Sequence, residues 1–453
     1  MHRPRPRTIA AGALVLLLAA APFIPRGGGD HGAISPSADR PRFAPREATA
    51  VGYGTVTAAM RAEIDAVVAR GAATPRLKGR ISPRAASNLL QCADFEGQRY
   101  CLGMGWTEDS PTAVQARVVT AAAPAGRRTT TRQHLRHTGD LSARGELKRL
   151  ARMTPRQRAQ AERQELTQAA RSVAKVWMIR HEIQGVPLPA GFLAAHPEAR
   201  TTVIAGRTST YASTSPTARP SSTATSSTAT TSTTTSTGGT TTVVATSPSP
   251  TSVASTAPSL AASVPTTYPA KAKVLKKTQT AEQIRNYWCG PTSMQMIAWG
   301  WKQKDKGAAH WAAKLHTTTG GTAIADMVRV TNANTGWDNL AGPYVVLDVR
   351  NFTTAQFWAL LQKHIAQYKA PIILHPQLLT RYFPYLARSG SGHFQVGRGY
   401  RTSATYGQEI GYFEPWNQQR FHPSEPYISR VQWLPVSREL SAIKANVFHN
   451  VGV

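Results

Sequence analysis

The chain has 453 residues and carries 53 Lys and Arg against 24 Asp and Glu, a formal net charge of +29. That length suffices for two domains plus unstructured sequence, and the charge favours polyanionic surroundings such as nucleic acid, anionic lipid or acidic wall polymers. No ordered basic and aromatic motif of a nucleic-acid module occurs, so no specific nucleic-acid partner is expected. The arginines are spread along the chain, and a solvated basic surface is the equal alternative to a wall-facing one.

Residues 1–26 have the layout of a secretory leader. MHRPRPR is positive, the run Ile9 to Ala21 is apolar, and small residues around Ala19-Ala20-Ala21 close it. The apolar run falls short of the ~20 residues a membrane-spanning helix needs. The expectation is a soluble mature chain without a transmembrane segment, secreted or associated with the cell envelope; an uncleaved anchor is the alternative. Residues 27–50 are rich in Gly and Pro and are expected to be disordered.

Residues 51–200 read as a basic, partly helical N-terminal domain. Met60, Ile64, Val67 and Val68 recur at helical steps and Gly71 follows as a stop. Cys92 and Cys101 flank Gly97, a spacing that suits a disulfide across a short hairpin-like loop in an oxidising compartment. From Gly145 to Gln184 the pattern is one long basic helix, interrupted where Thr154 caps and Pro155 takes the first helical position. Leu166, Ala170, Val173 and Trp177 make one apolar stripe along it.

Residues 201–270 change to Ser, Thr, Ala and Pro with almost no charge. Such a tract cannot bury enough surface to fold and is expected to be a linker, with O-glycosylation a hypothesis for an exported chain.

A second domain is expected over 275–453. It opens with NYWCGPTSMQM, where Gly290 is the expected cap and Pro291 the first helical residue, followed by Met294, Ile297, Ala298 and Trp301 on one face. Phe352 to Tyr368 reads as a further helix. Pro371 to His375 reads as a buried strand, and His393 to Val396 as a strand whose hairpin partner is Gln408 to Phe413. The fold class is α+β, a nucleophile helix packed on a mainly antiparallel sheet.

Cys289 is the odd cysteine of the three. At a helix start, unpaired N–H groups and the helix dipole favour the thiolate, which is the nucleophilic form. Gln283 precedes it as a candidate oxyanion donor, His393 is the candidate base, and Glu414 is the candidate orienting carboxylate. The duller alternative is that Cys289 fills a core. Trp288 either lines a cleft or packs. His375 is read as structural or substrate-lining. No paired Cys or His at ligand spacing surrounds Cys289, and His310 and His316 lack a partner motif. No metal or other cofactor is therefore expected.

Gln283 with Cys289-Gly290-Pro291, then Gly392-His393-Phe-Gln-Val-Gly-Arg-Gly-Tyr400, then Tyr412-Phe-Glu-Pro415 resembles the C39-like cysteine peptidases over about residues 279 to 420. The resemblance implies a papain-like fold for the C-terminal domain. It assigns Cys289 as nucleophile, His393 as base and acid, Gln283 to the oxyanion hole and Glu414 to orienting the imidazole. The family usually has Asp before that Pro, and Glu414 departs from it. Asn417 is the rival orienting residue. The implied activity is hydrolysis of peptide bonds in a peptide or protein substrate. A cell-wall peptide amidase or endopeptidase acting on an anionic wall polymer, and a non-catalytic extracellular binding module on the same fold, are the alternatives.

Overall fold

The computed structural model describes residues 50–74, 82, 87–123, 135–204, 207–210 and 268–453. The leader over 1–26, the Gly/Pro segment 27–50 apart from Ala50, and the part of the Ser/Thr/Pro tract from 211 to 267 lie outside the described residues.

Helix α1 (Ala58–Ala73) starts where the Thr57 hydroxyl accepts from Met60 N at 3.2 Å, and it buries Met60, Ile64, Val67 and Val68, the face its periodicity marks. A hairpin follows. Strands β1 (Cys92–Phe95) and β2 (Gln98–Cys101) pair antiparallel with Cys92 opposite Cys101, and a disulfide joins the two. Glu96 and Gly97 turn it with φ of 50° and 79°, the left-handed pair a two-residue hairpin turn needs. Strand β3 (Gly105–Thr107) continues antiparallel to β2, and α2 (Pro111–Ala122) is capped by Ser110.

The long basic helix expected over Gly145 to Gln184 is three helices: α3 (Ala143–Arg152), α4 (Pro155–Ala170) and α5 (Val173–Ile179). Thr154 and Gln157 form a capping box at the first break. At the second break the Ser172 hydroxyl donates to Ala169 O at 2.8 Å, competing with the helix ladder. Leu166, Ala170, Val173 and Trp177 remain buried across it. Arg158, fully buried on α4, donates to Gly71 O at 2.9 Å and so ties α4 to the end of α1. Strands β4 (Thr201–Ile204) and β5 (Arg207–Thr210) form a hairpin inside the first residues of the tract expected to be unstructured; both carry β-branched residues that favour extended backbone.

Past the tract, β6 (Lys271–Lys273) pairs with β9, and α6 (Cys289–Lys302), α7 (Ala308–Lys314) and α8 (Ile324–Asn334) follow. Then come β7 (Val346–Asp348), α9 (Thr354–Gln362), β8 (Ile372–Leu374), β9 (Gln395–Ser403), β10 (Gly407–Phe413), β11 (Val431–Pro435), α10 (Val436–Ala445) and β12 (Asn450–Gly452). The sheet runs β1-β2-β3-β7-β12-β8-β9-β10-β11 and every named pair but one is antiparallel.

The exception joins the two halves of the sequence. β3 lies parallel to β7 with Trp106 opposite Leu347, so the hairpin of the N-terminal region extends the C-terminal sheet. The apolar core is likewise shared: Ile64, Trp106 and Val176 belong to the same cluster as Met294, Ile297 and Phe394. The described residues from Ala50 to Val453 belong to one compact unit. The segment 51–200, expected as a domain of its own, is therefore built into the same sheet and core as the segment that follows the tract. No helix among the described residues is long and apolar enough to cross a membrane.

Candidate active site

Helix α6 begins at Cys289 itself, with Trp288 as its cap residue, so Gly290 and Pro291 lie inside the first turn rather than at its boundary. Proline is tolerated there because first-turn N–H groups have no helical partner. The backbone N–H groups of Gly290, in the same turn, and of Phe394, the residue after His393, face the sulfur and favour its anion. The thiol therefore lies beside Phe394, one residue along the chain from the imidazole. His393 precedes β9 rather than opening it, and its own N–H donates to Pro376 O at 2.9 Å.

Glu414 ends the hairpin partner of β9 and meets His393 Nε2 at 2.7 Å through Oε1. Three further donors fix this carboxylate. Trp416 N donates to Oε1 at 2.8 Å, and Gln395 Nε2 and Tyr385 Oη donate to Oε2 at 2.7 and 2.8 Å. Burial opposes its ionisation, yet the charge and hydrogen bond of His393, with those of Trp416 and Gln395, hold it below the ordinary carboxylate range. His393 Nδ1 has no hydrogen-bond partner among the described residues and is the ring nitrogen left for the thiol side. Asn417 does not approach the imidazole. Its amide donates to Glu282 Oε2 at 2.9 Å and its oxygen accepts from Gln419 N and Ile428 N at 3.3 Å. Of the two orienting candidates, Glu414 is the one in contact with His393.

Gln283 N donates to Pro415 O at 2.9 Å, which anchors this residue to the loop just past Glu414. Its side-chain Nε2 reaches Thr138 O at 3.3 Å and Arg285 O at 3.1 Å. Gly139, the next residue after Thr138, lies against Cys289: a Cβ on it would stand 2.8 Å from both the sulfur and the Cys289 nitrogen. Gln283 and Cys289 thus bracket one peptide from the N-terminal region. Cys289, Gln283, His393 and Glu414 are each 0 % exposed.

The helix start does not win at the sulfur. Burial, and then the Asp140 carboxylate, push the Cys289 thiol well above its ordinary value, against the two backbone N–H groups that lower it. With these residues in place the group is a thiol rather than the thiolate its helix position suggests.

His375 forms a separate arrangement. Its Nδ1 meets Asn450 Oδ1 at 2.8 Å, its Nε2 lies 3.5 Å from Asp140 Oδ2, and its ring stacks on Phe394 with centroids 4.4 Å apart. Trp288 is half-buried beside Tyr287, with the Arg285 guanidinium 5.0 Å over its ring, at the edge of the buried site. His316 is exposed beside Asp326 and Arg329, and neither it nor His310 joins the cluster. Sequence reading passed over Asp140, Tyr385, Gln395 and Asn450. Gln395, the first residue of β9 and two past His393, is the one that spacing alone marks, since alternate residues of an extended segment share a face.

No curated protein and no solved structure matches the chain. Residues 272–437 match the model of the Peptidase_C39 like family, and Gln283, Cys289, His393 and Glu414 all fall within that stretch. The C-terminal part of the chain is thus similar to the C39-like domains of a peptidase family.

Proposed function

We propose that the protein is a cysteine peptidase that cleaves amide bonds through a Cys289 acyl-enzyme, on a papain-like arrangement of nucleophile helix and antiparallel sheet. The observation that carries this reading is a buried His393 held by Glu414, itself fixed by four hydrogen bonds, one residue along the chain from Phe394, whose N–H faces the Cys289 sulfur. A base oriented by a third group beside a nucleophile is the arrangement acyl transfer requires.

In the reaction the thiol proton moves to His393 Nδ1 as the sulfur attacks the substrate carbonyl. Glu414 keeps the ring in place and stabilises the imidazolium. The Gln283 amide and the Cys289 N–H are the donors for the developing oxyanion. Collapse breaks the C–N bond, His393 delivers its proton to the leaving amine, and water then cleaves the thioester through the same base.

The leader-like N-terminus supports export, and the net charge of +29 supports a second reading in which the bond lies in an anionic cell-wall peptide. Digestion of a peptide mixture by the full chain, read as new termini by mass spectrometry, tests the activity. Cys289→Ala is expected to abolish the new termini while leaving the melting curve unchanged. The same termini in that variant sink the assignment. Amino groups released from purified wall, with none from casein, select the wall substrate.

A further inference from the structure

Residues 135–141 cross the buried cysteine as a segment bridged to two loops, with a bend at Gly139. On one side Arg136 N donates to Ser389 O at 3.2 Å and Ser391 N donates to Arg136 O at 2.7 Å. On the other, Leu141 N donates to Thr322 O at 2.8 Å and Thr322 N donates to Gly139 O at 2.9 Å. Both ladders are parallel bridges, Arg136 with Gly390 and Asp140 with Thr322. Between them the Thr138 hydroxyl donates to Gly392 O at 2.9 Å, and Thr138 O accepts from the Gln283 amide.

Glycine is demanded at two points of this crossing. Gly139 has φ of 120° and passes the sulfur with no room for a side chain. Gly321, with φ of 108°, lets the facing loop approach so closely that a Cβ there would stand 2.4 Å from the carbonyl oxygens of Gly139 and Asp140. Asp140 sets its carboxylate 3.3 Å from Ser391 Oγ and beside His375. At the outer end Arg136 makes a bidentate ion pair with Glu425.

We propose that the cleft over Cys289 is a peptide-binding groove whose resident occupant is the chain's own residues 135–141, so that substrate enters only after this segment leaves. The inference rests on the reading of Cys289 as nucleophile. Three observations separate an occupant from ordinary core. The segment is held by backbone bridges and polar contacts, and of its two leucines Leu141 is buried while Leu135 is 47 % exposed. Its carbonyl takes up the amide assigned to the oxyanion. Its glycine closes the sulfur from solvent, and its Asp140 charge disfavours the thiolate. A segment with little apolar burial opens at a lower free energy than the whole fold, so departure does not require unfolding.

Iodoacetamide alkylation of Cys289, the one free cysteine, tests this on the full chain by intact mass. Gly139→Leu cannot sit against the sulfur, and Arg136→Ala removes the outer anchor. Each is expected to raise the labelling rate by on the order of tenfold or more, the scale of a shifted local opening. A peptide of sequence LRHTGDL is expected to slow the labelling of Arg136→Ala again. Labelling of wild type and both variants at one rate, with cooperative melting retained, overturns the proposal. If Gly139→Leu does not fold, Arg136→Ala with and without the peptide decides alone. Cys289-dependent cleavage of the chain inside 135–141 also overturns it, since the segment would then be a first substrate. Faster labelling with no peptide cut by any form keeps the occupant and removes the peptidase. Cys289-dependent cutting with unchanged labelling does the reverse.

Discussion

Two buried histidines neighbour Phe394, one along the chain and one across its ring, and their surroundings differ. His393 sits immediately before Phe394, and His375 stacks on it. His393 gives Nε2 to a carboxylate and keeps Nδ1 clear of protein partners among the described residues. His375 gives Nδ1 to the side-chain oxygen of Asn450, whose amide nitrogen donates to Met104 O at 3.0 Å and so fixes which end faces the ring; the Asp140 carboxylate, 3.5 Å from Nε2, makes no hydrogen bond to it. A carboxylate stabilises an imidazolium; an amide oxygen only takes its neutral proton. In the proposed mechanism the same side chain is a proton carrier in one place and a cross-brace in the other. Position in the sheet does not separate them, and the identity of the partner does.

The largest test of that contrast is a paired substitution. His393→Gln is expected to lower kcat/KM for a cleaved peptide by on the order of 10³-fold, the scale of lost general acid–base catalysis. His375→Gln is expected to stay within about threefold in kcat/KM, while costing about 2 kcal/mol of stability through a lost buried hydrogen bond. Equal losses of kcat/KM would erase the distinction.

A smaller effect sharpens the role of the partner. Glu414→Gln keeps an acceptor for His393 but removes the charge, and roughly a 10²-fold loss in kcat is expected, smaller than that from removing the base itself. A variant as active as wild type would show that the carboxylate only holds the ring. Since Glu414 is held below the ordinary carboxylate range, its contribution to stability is present above the unfolded value and is lost as pH falls through its folded one.

The smallest effect comes from Glu439, on α10. It is fully buried, its oxygens lack partners among the described residues, and burial with the charge of Glu414 raises its carboxyl to about 8. The sign is opposite to that of Glu414. The neutral form belongs to the fold, so its stability is complete below the unfolded carboxyl value and is lost as pH rises through about 8. Thermal unfolding at pH 6 and pH 9 is expected to show a drop in Tm for wild type that shrinks in Glu439→Gln. An unchanged drop would mean that Glu439 does not lose its proton across this range.

Much of this was legible in the residues. The odd cysteine ahead of an apolar helix, the histidine at a strand and the carboxylate at the end of its hairpin partner are local patterns, and all three fall in one place. The buried face of α1 followed directly from its helical spacing. The segment at 135–141 did not, because a single segment without alternation has no period to detect. The β3–β7 pairing was equally silent: it joins two short strands hundreds of residues apart by a parallel bridge. The state of the sulfur reversed for a different reason. A helix start is a local feature, whereas burial and the nearby Asp140 exist only once distant segments have closed over the cysteine.

That parallel bridge changes what the Ser/Thr/Pro tract is. With Trp106 registered against Leu347 and one core spanning both sides, the tract joins two parts of a single fold rather than two separate bodies. The entropy of closing a loop grows only with the logarithm of its length, each doubling adding about 0.6 kcal/mol. Length and composition there are nearly free variables for stability. A break in the tract would yield a two-chain protein, its halves joined by a sheet that neither half completes alone.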